Sequence, residues 1–234
     1  MIIVCLVIVT LIAYFGGVYV DNRHAANITR GICDVLIVVI LTLIVANDTF
    51  HFGMQPRTQT TITSISAVKP SSKAPILLYR SLGTSGKNPI YLYKKTPDSK
   101  PVHTRPDETV NKVVRSSTDP HLVTKRKTWV YKNGFYKFMF AIAGNEGRHI
   151  QTHNTFYLPP NWLVLSTKQA QRLAVQMQNP RTKQRLSQEV QQQVQKDLAR
   201  RPTLTAQQRR QYVKHMTVLR QRQVLEKLAQ IKLK

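Results

Sequence analysis

The sequence predicts an α+β membrane protein: an N-terminal two-helix transmembrane hairpin, a small mainly antiparallel β domain, and C-terminal basic helices. Three observations carry that expectation. Two long apolar runs occupy residues 1–46. Short β-branched and aromatic runs separated by turn residues fill 61–165. A Gln-, Lys- and Arg-rich stretch with a four-residue apolar repeat covers 166–234.

Residues 1–20 carry no charge, and 28–46 carry it only at Arg30 and Asp34. At about 1.5 Å per residue, helices over about 2–20 and 28–46 each span a hydrocarbon core roughly 30 Å thick. A turn of about ten residues makes them antiparallel, so residue 1 and everything after residue 46 share one face of a bilayer. A cleaved signal peptide fits less well, because the first run lacks a basic start and a small-x-small cleavage site. Both cysteines, Cys5 and Cys33, fall in the apolar runs, which excludes a disulfide framework or thiolate metal site elsewhere.

Charge divides the chain. Residues 1–46 balance at two Lys/Arg and two Asp/Glu, 47–165 hold seventeen against six, and 166–234 hold sixteen against three, giving the total of +24. The expected partners beyond the lipid bilayer are therefore polyanions, namely lipid headgroups, acidic envelope polymers or, less favoured, nucleic acid, with a protein partner as a further expectation. Arg23 and Arg30 in the turn outnumber Arg57 beyond the second helix. That places the turn in the cytoplasm and the large C-terminal part outside. Asp34 reads as an interfacial residue one turn from Arg30, with an ion-relay acid as the functional alternative. Phe50, His51 and Phe52 read as an interfacial anchor.

Residues 47–60 read as a linker. Strands are expected at 61–68, at 75–80 and 90–94 flanking a loose hairpin loop at 83–88, and at 109–114. Asn133-Gly134 between two aromatic runs is the pair a type I′ turn demands, so 128–140 reads as a β-hairpin. Pro159-Pro160-Asn161 separates runs 155–158 and 162–165, which cannot form one central strand. Beyond them, Ser166 with Gln169 and Thr205 with Gln208 fit capping boxes. Helices follow, ending before Pro180 and Pro202 and running on from about 206. Leu186, Val190, Val194 and Leu198 recur every fourth residue, the narrow stripe of a helical hairpin with a solvated basic face.

Catalytic candidates are sparse. Asp107-Glu108 is the only adjacent acidic pair, and it reads as a turn. His149 and His153 are four apart, but no Glu follows the first as in a zinc hydrolase motif, so they read as polar strand residues. Gly144-Asn-Glu-Gly147 is a tight turn without the Lys-Ser/Thr of a phosphate cradle. No catalytic residue, metal site or cofactor is assigned. The basic aromatic segment 125–137 suits either an aromatic-cored sheet with a Lys-rich edge or a grip on a single-stranded nucleic acid.

The layout of two apolar helices, a β-rich segment carrying Tyr157-Leu-Pro-Pro-Asn-Trp-Leu-Val-Leu-Ser166, and a basic helical tail resembles a family of uncharacterised small membrane proteins from Gram-positive bacteria. That family is a domain of unknown function. The resemblance implies a bacterial membrane protein and supplies no activity or site residues. The functional expectation is thus a membrane-anchored, non-enzymatic binding or scaffold protein. Lys125, Arg126, Lys127, Arg200, Arg201, Arg209 and Arg210 are its candidate polyanion contacts, because they form local clusters. The alternative is a cytoplasm-facing, tethered nucleic-acid-binding module. An enzyme requires that folding gather His103, His149, His153 or Glu146 into one pocket.

Overall fold

The structure, a computed structural model, describes residues 1–20, 22–68, 74–81, 89–106, 108–115, 118–201 and 205–230. Asp107 and the expected hairpin loop at 83–88 lie outside them. The chain is α+β, with two long apolar N-terminal helices and mixed sheets.

Helices α1 (Ile2–Tyr19) and α2 (Arg23–Phe50) are joined by a turn much shorter than expected. Asn22 caps α2, its Oδ1 accepting from the His24 and Ala25 amides at 3.0 and 3.5 Å. Gly16 and Gly17 let the helices approach closely. A Cβ at Gly16 would sit 3.1 Å from the Thr29 methyl, and one at Gly17 would meet the Arg30 guanidinium. The Arg30 guanidinium thus lies against α1, and among the described residues it makes no ion pair with Asp34. Both helices are long and apolar enough to cross a membrane, and only 6% of each apolar window is buried within the protein.

Eight strands follow: β1 (Met54–Ser64), β2 (Ile76–Ser81), β3 (Pro89–Tyr93), β4 (Val102–His103), β5 (Thr109–Arg115), β6 (His121–Tyr131), β7 (His149–Leu158) and β8 (Leu163–Ser166). They form two four-stranded sheets ordered β1-β6-β7-β5 and β4-β3-β2-β8. The expected linker needs correction. The 47–60 linker does not exist, since α2 runs to Phe50 and β1 starts at Met54. Strand β1 is an edge strand, polar and almost wholly exposed, so it lacks the apolar alternation by which a strand is recognised. The sheets are mixed. β2 pairs antiparallel with β3 but parallel with β8, and β5 pairs parallel with β7. Parallel partners need long crossovers, which a local pattern does not reveal.

The chain divides into two compact units, 1–59 with 126–151, and 60–125 with 152–234, so β1, β6 and β7 each pass from one into the other. In the first unit, Asn133-Gly134 does not make a β-hairpin. Asn133 instead caps helix α3 (Gly134–Phe140), its Oδ1 accepting from the Tyr136 amide at 3.1 Å. Asn serves both roles, because its short carboxamide caps helices as readily as it tolerates turns. A 3-10 turn, Ala141–Ala143, follows. Ile2, Met54, Tyr131 and Phe140 form this unit's core. Helix α2 stops at His51, which is left-handed at φ 56°, with the Phe52 amide donating to Ala46 O at 3.1 Å.

The second unit is layered. One core cluster lies between the sheets: Leu77 and Tyr91 from one, Leu122, Phe156 and Leu158 from the other, closed by Ile65 and Trp162. A second lies under helices α4 (Thr167–Gln176), α5 (Pro180–Ala199) and α6 (Ala206–Gln230). Leu163 and Leu165 of β8 meet Leu173, Leu186, Val190, Val194, Val224 and Leu225 there. Val164 packs on the inter-sheet cluster, so β8 is covered on both faces, as a strand with a parallel partner requires. Both expected capping boxes form, at Ser166/Gln169 and Thr205/Gln208.

Candidate functional site

The three carboxylates of residues 166–234 are Glu189, Asp197 and Glu226. Asp197 is taken by Arg220, whose Nη2 and Nε lie 2.6 and 2.8 Å from its Oδ2. Glu226 accepts from Arg115 Nη2 at 2.9 Å, and Glu189 accepts from Gln193 at 3.1 Å. Among the described residues, none of these acids pairs with Arg200, Arg201, Arg209, Arg210 or Lys214, all of which are exposed. Among the described residues, these five cations at this end of the α5–α6 hairpin have no ion-pair partner.

Arg209, Arg210 and Lys214 line a groove of about 550 Å³ together with Gln195, Leu198 and Val213. Leu198 ends the apolar stripe of α5, and Val213 faces it from α6, giving an apolar floor under cationic walls. Arg210 and Lys214 are one helical turn apart and share a face. The Arg201 guanidinium lies over the Tyr212 ring, 5.1 Å from its centroid, which orients it without consuming its hydrogen-bond donors. Long basic side chains around an apolar strip can hold a flat or linear polyanion by charge and contact together.

Of the sequence-derived candidates, Arg209 and Arg210 line this groove, and Arg201 stacks on Tyr212. Lys125, Arg126 and Lys127 are exposed on β6, where alternation turns Arg126 away from its two neighbours, and they do not line the groove. Sequence reasoning missed Tyr212 and Lys214, for which the i,i+4 spacing from Arg210 was the available signal. Glu146 is held by Lys137 at 2.9 Å, and His103 Nδ1 lies 3.2 Å from Thr104 O. His153 is exposed, and no group of three or more metal-ligating side chains occurs among the described residues.

The Tyr157–Ser166 motif has a structural explanation. Leu158 ends β7 in the inter-sheet core, and the Trp162 amide turns back to Pro159 O at 3.1 Å. Carbonyls left free by this crossover are bound from elsewhere: Pro160 O by Arg222 Nη1 at 3.1 Å, Trp162 O by Arg115 Nη1 at 2.7 Å. Burial and the nearby Arg222 push the Arg115 guanidinium below its ordinary value, which Glu226 opposes. That value starts so high that Arg115 stays charged at neutral pH. These residues build the passage from one sheet to the other.

Two N-terminal helices long and apolar enough to cross a membrane, leading into mixed sheets, define an α+β protein. Residues 22–173, nearly two-thirds of the chain, match Domain of unknown function (DUF4811), and the chain belongs to this family. The match runs from α2 into α4, so it includes the crossover motif, while α5, α6 and their groove lie beyond it. No curated protein and no solved structure matches the chain.

Proposed function

We propose that the chain is a bacterial membrane-anchored, non-enzymatic binding or scaffold protein. Helices α1 and α2 hold it in the bilayer, and the α5–α6 groove grips an anionic surface through Arg201, Arg209, Arg210 and Lys214. The observation that carries this reading is a cationic rim that makes no ion pair among the described residues, in a segment whose acids are engaged by other partners. Arg200, Lys125, Arg126 and Lys127 add exposed charge to the same soluble part. Arg23 and Arg30, in the first turns of α2, favour a cytoplasmic inter-helix end and an extracytoplasmic C-terminal part.

The full chain in nanodiscs of neutral lipid, mixed with vesicles of anionic lipid, tests the groove. Binding should weaken as salt is added. Arg209→Gln with Arg210→Gln should lower it roughly thirtyfold, at about 1 kcal/mol per basic residue. Binding unchanged at high salt overturns the reading. Orientation is tested by protease treatment of intact cells followed through a C-terminal epitope. Loss of the epitope supports an extracytoplasmic soluble part. Protection that ends on lysis overturns it and favours the tethered nucleic-acid-binding alternative.

A further inference from the structure

Helix α3 and its 3-10 turn carry two apolar faces where a helix at a water-exposed surface needs one. The inward face, Tyr136, Met139 and Phe140, packs with Ile2, Met54 and Tyr131. The outward face consists of Phe135, Phe138 and Ile142, which are 66%, 60% and 64% exposed. Their spacings of three and four residues place them on one stripe. So large an apolar stripe marks a surface that something covers.

The position of α3 identifies the cover. Within the first unit, Ile2 at the start of α1 and Ile44 near the end of α2 join Phe140 in one cluster. Ile3 and Val45, exposed on those helices, line the same cavity of about 400 Å³ as Phe140 and Ile142. The outward face of α3 is therefore continuous with the exposed apolar surface of α1 and α2, at the end where residues 1 and 50 lie. Gly134–Ala143 is too short to span a bilayer. Its polar side offers Lys137, ion-paired with Glu146, and the preceding Lys132 is exposed. An apolar stripe edged by lysine is the pattern of a segment lying in the plane of the interface.

We infer that α3 and the 3-10 turn lie flat in the boundary between headgroups and acyl chains, with Phe135, Phe138 and Ile142 immersed in lipid. This rests on the reading that α1 and α2 are inserted, and the test separates the two. The full chain is reconstituted into vesicles whose acyl chains carry bromine either near the headgroup or near the chain end. Tryptophan emission is then compared with the parent chain, which contributes Trp129 and Trp162. Ile8→Trp, exposed at mid-α1, reports on the hairpin and should be quenched by bromine near the chain end. Phe138→Trp, with Phe135→Trp as a second reporter, should shift to the blue and be quenched by bromine near the headgroup. Quenching of Ile8→Trp without quenching of either α3 reporter overturns the inference alone, and gives that face to a protein partner. An unquenched Ile8→Trp overturns the hairpin's insertion and the inference with it.

Discussion

Asn145 Nδ2 donates to Asn47 Oδ1 across 3.2 Å, and both side chains are buried. Asn47 in turn donates through Nδ2 to Phe52 O at 2.7 Å. One carboxamide pair thus ties the last turn of α2 to both the chain leaving it and the loop after the 3-10 turn. Asn145→Ala strands one acceptor and should cost about 1–3 kcal/mol, whereas Asn47→Ala strands two partners and should cost more. Thermal unfolding of both variants and of the double variant in detergent checks the order. Strict additivity would show that the pair is not coupled.

Gly53 follows that pair at φ +78°, with its carbonyl accepting from the Lys132 amide at 3.0 Å. A Cβ there would collide with the Tyr136 ring. Gly53→Ala therefore combines backbone strain with a clash and should destabilise the first unit by roughly 1–3 kcal/mol. A midpoint within error of the parent chain would contradict the geometry.

On α5 the apolar stripe performs two tasks. Leu186 lies in the core under the helices, so Leu186→Ala should cost about 2–4 kcal/mol. Leu198 floors the groove instead. Leu198→Ala should cost distinctly less while weakening binding to anionic vesicles, as seen by comparing denaturant midpoints with binding curves.

Arg115 bonds Glu226 and the Trp162 carbonyl at once. Arg115→Ala should cost about 1–2 kcal/mol, because a carbonyl loses its donor as well. Glu226→Gln should cost less than about 1 kcal/mol, since a partly exposed pair is screened by water. Added salt should shrink the second loss by the larger fraction, because the first also contains the Trp162 carbonyl bond, which salt does not screen. Urea titrations at low and high salt distinguish them.

Burial raises the Tyr91 hydroxyl above its ordinary value, aided by nearby Tyr79, and burial raises Tyr93 as well. The unfolded chain then releases these protons before the folded one does. Stability is unaffected below about pH 10 and falls as pH rises towards the folded-state values. Tyr91→Phe should flatten that loss above about pH 10. Denaturant unfolding read alongside tyrosinate absorbance checks both the sign and the residue.

The amino-acid order alone was enough for features set by neighbours in the chain. Apolar run length placed α1 and α2, the hydroxyl–Gln spacing placed the starts of α4 and α6, and the β2–β3 hairpin followed from its flanking runs. The Leu186–Leu198 stripe announced a face to be buried. The same local chemistry misled at Asn133-Gly134, where a turn and a helix cap use one residue pair, and at β1, whose exposed polar strand is held by β6 and not by its own pattern. Only the tertiary structure decided that β5 runs parallel to β7 and β8 to β2, because their pairings join segments tens of residues apart. It alone also seated α4–α6 on Leu163 and Leu165, turned Asp197 and Glu226 towards Arg220 and Arg115, and so left Arg209, Arg210 and Lys214 around one groove without an ion-pair partner among the described residues. Charge is written in composition, but which charges cancel depends on distances that only the folded chain sets.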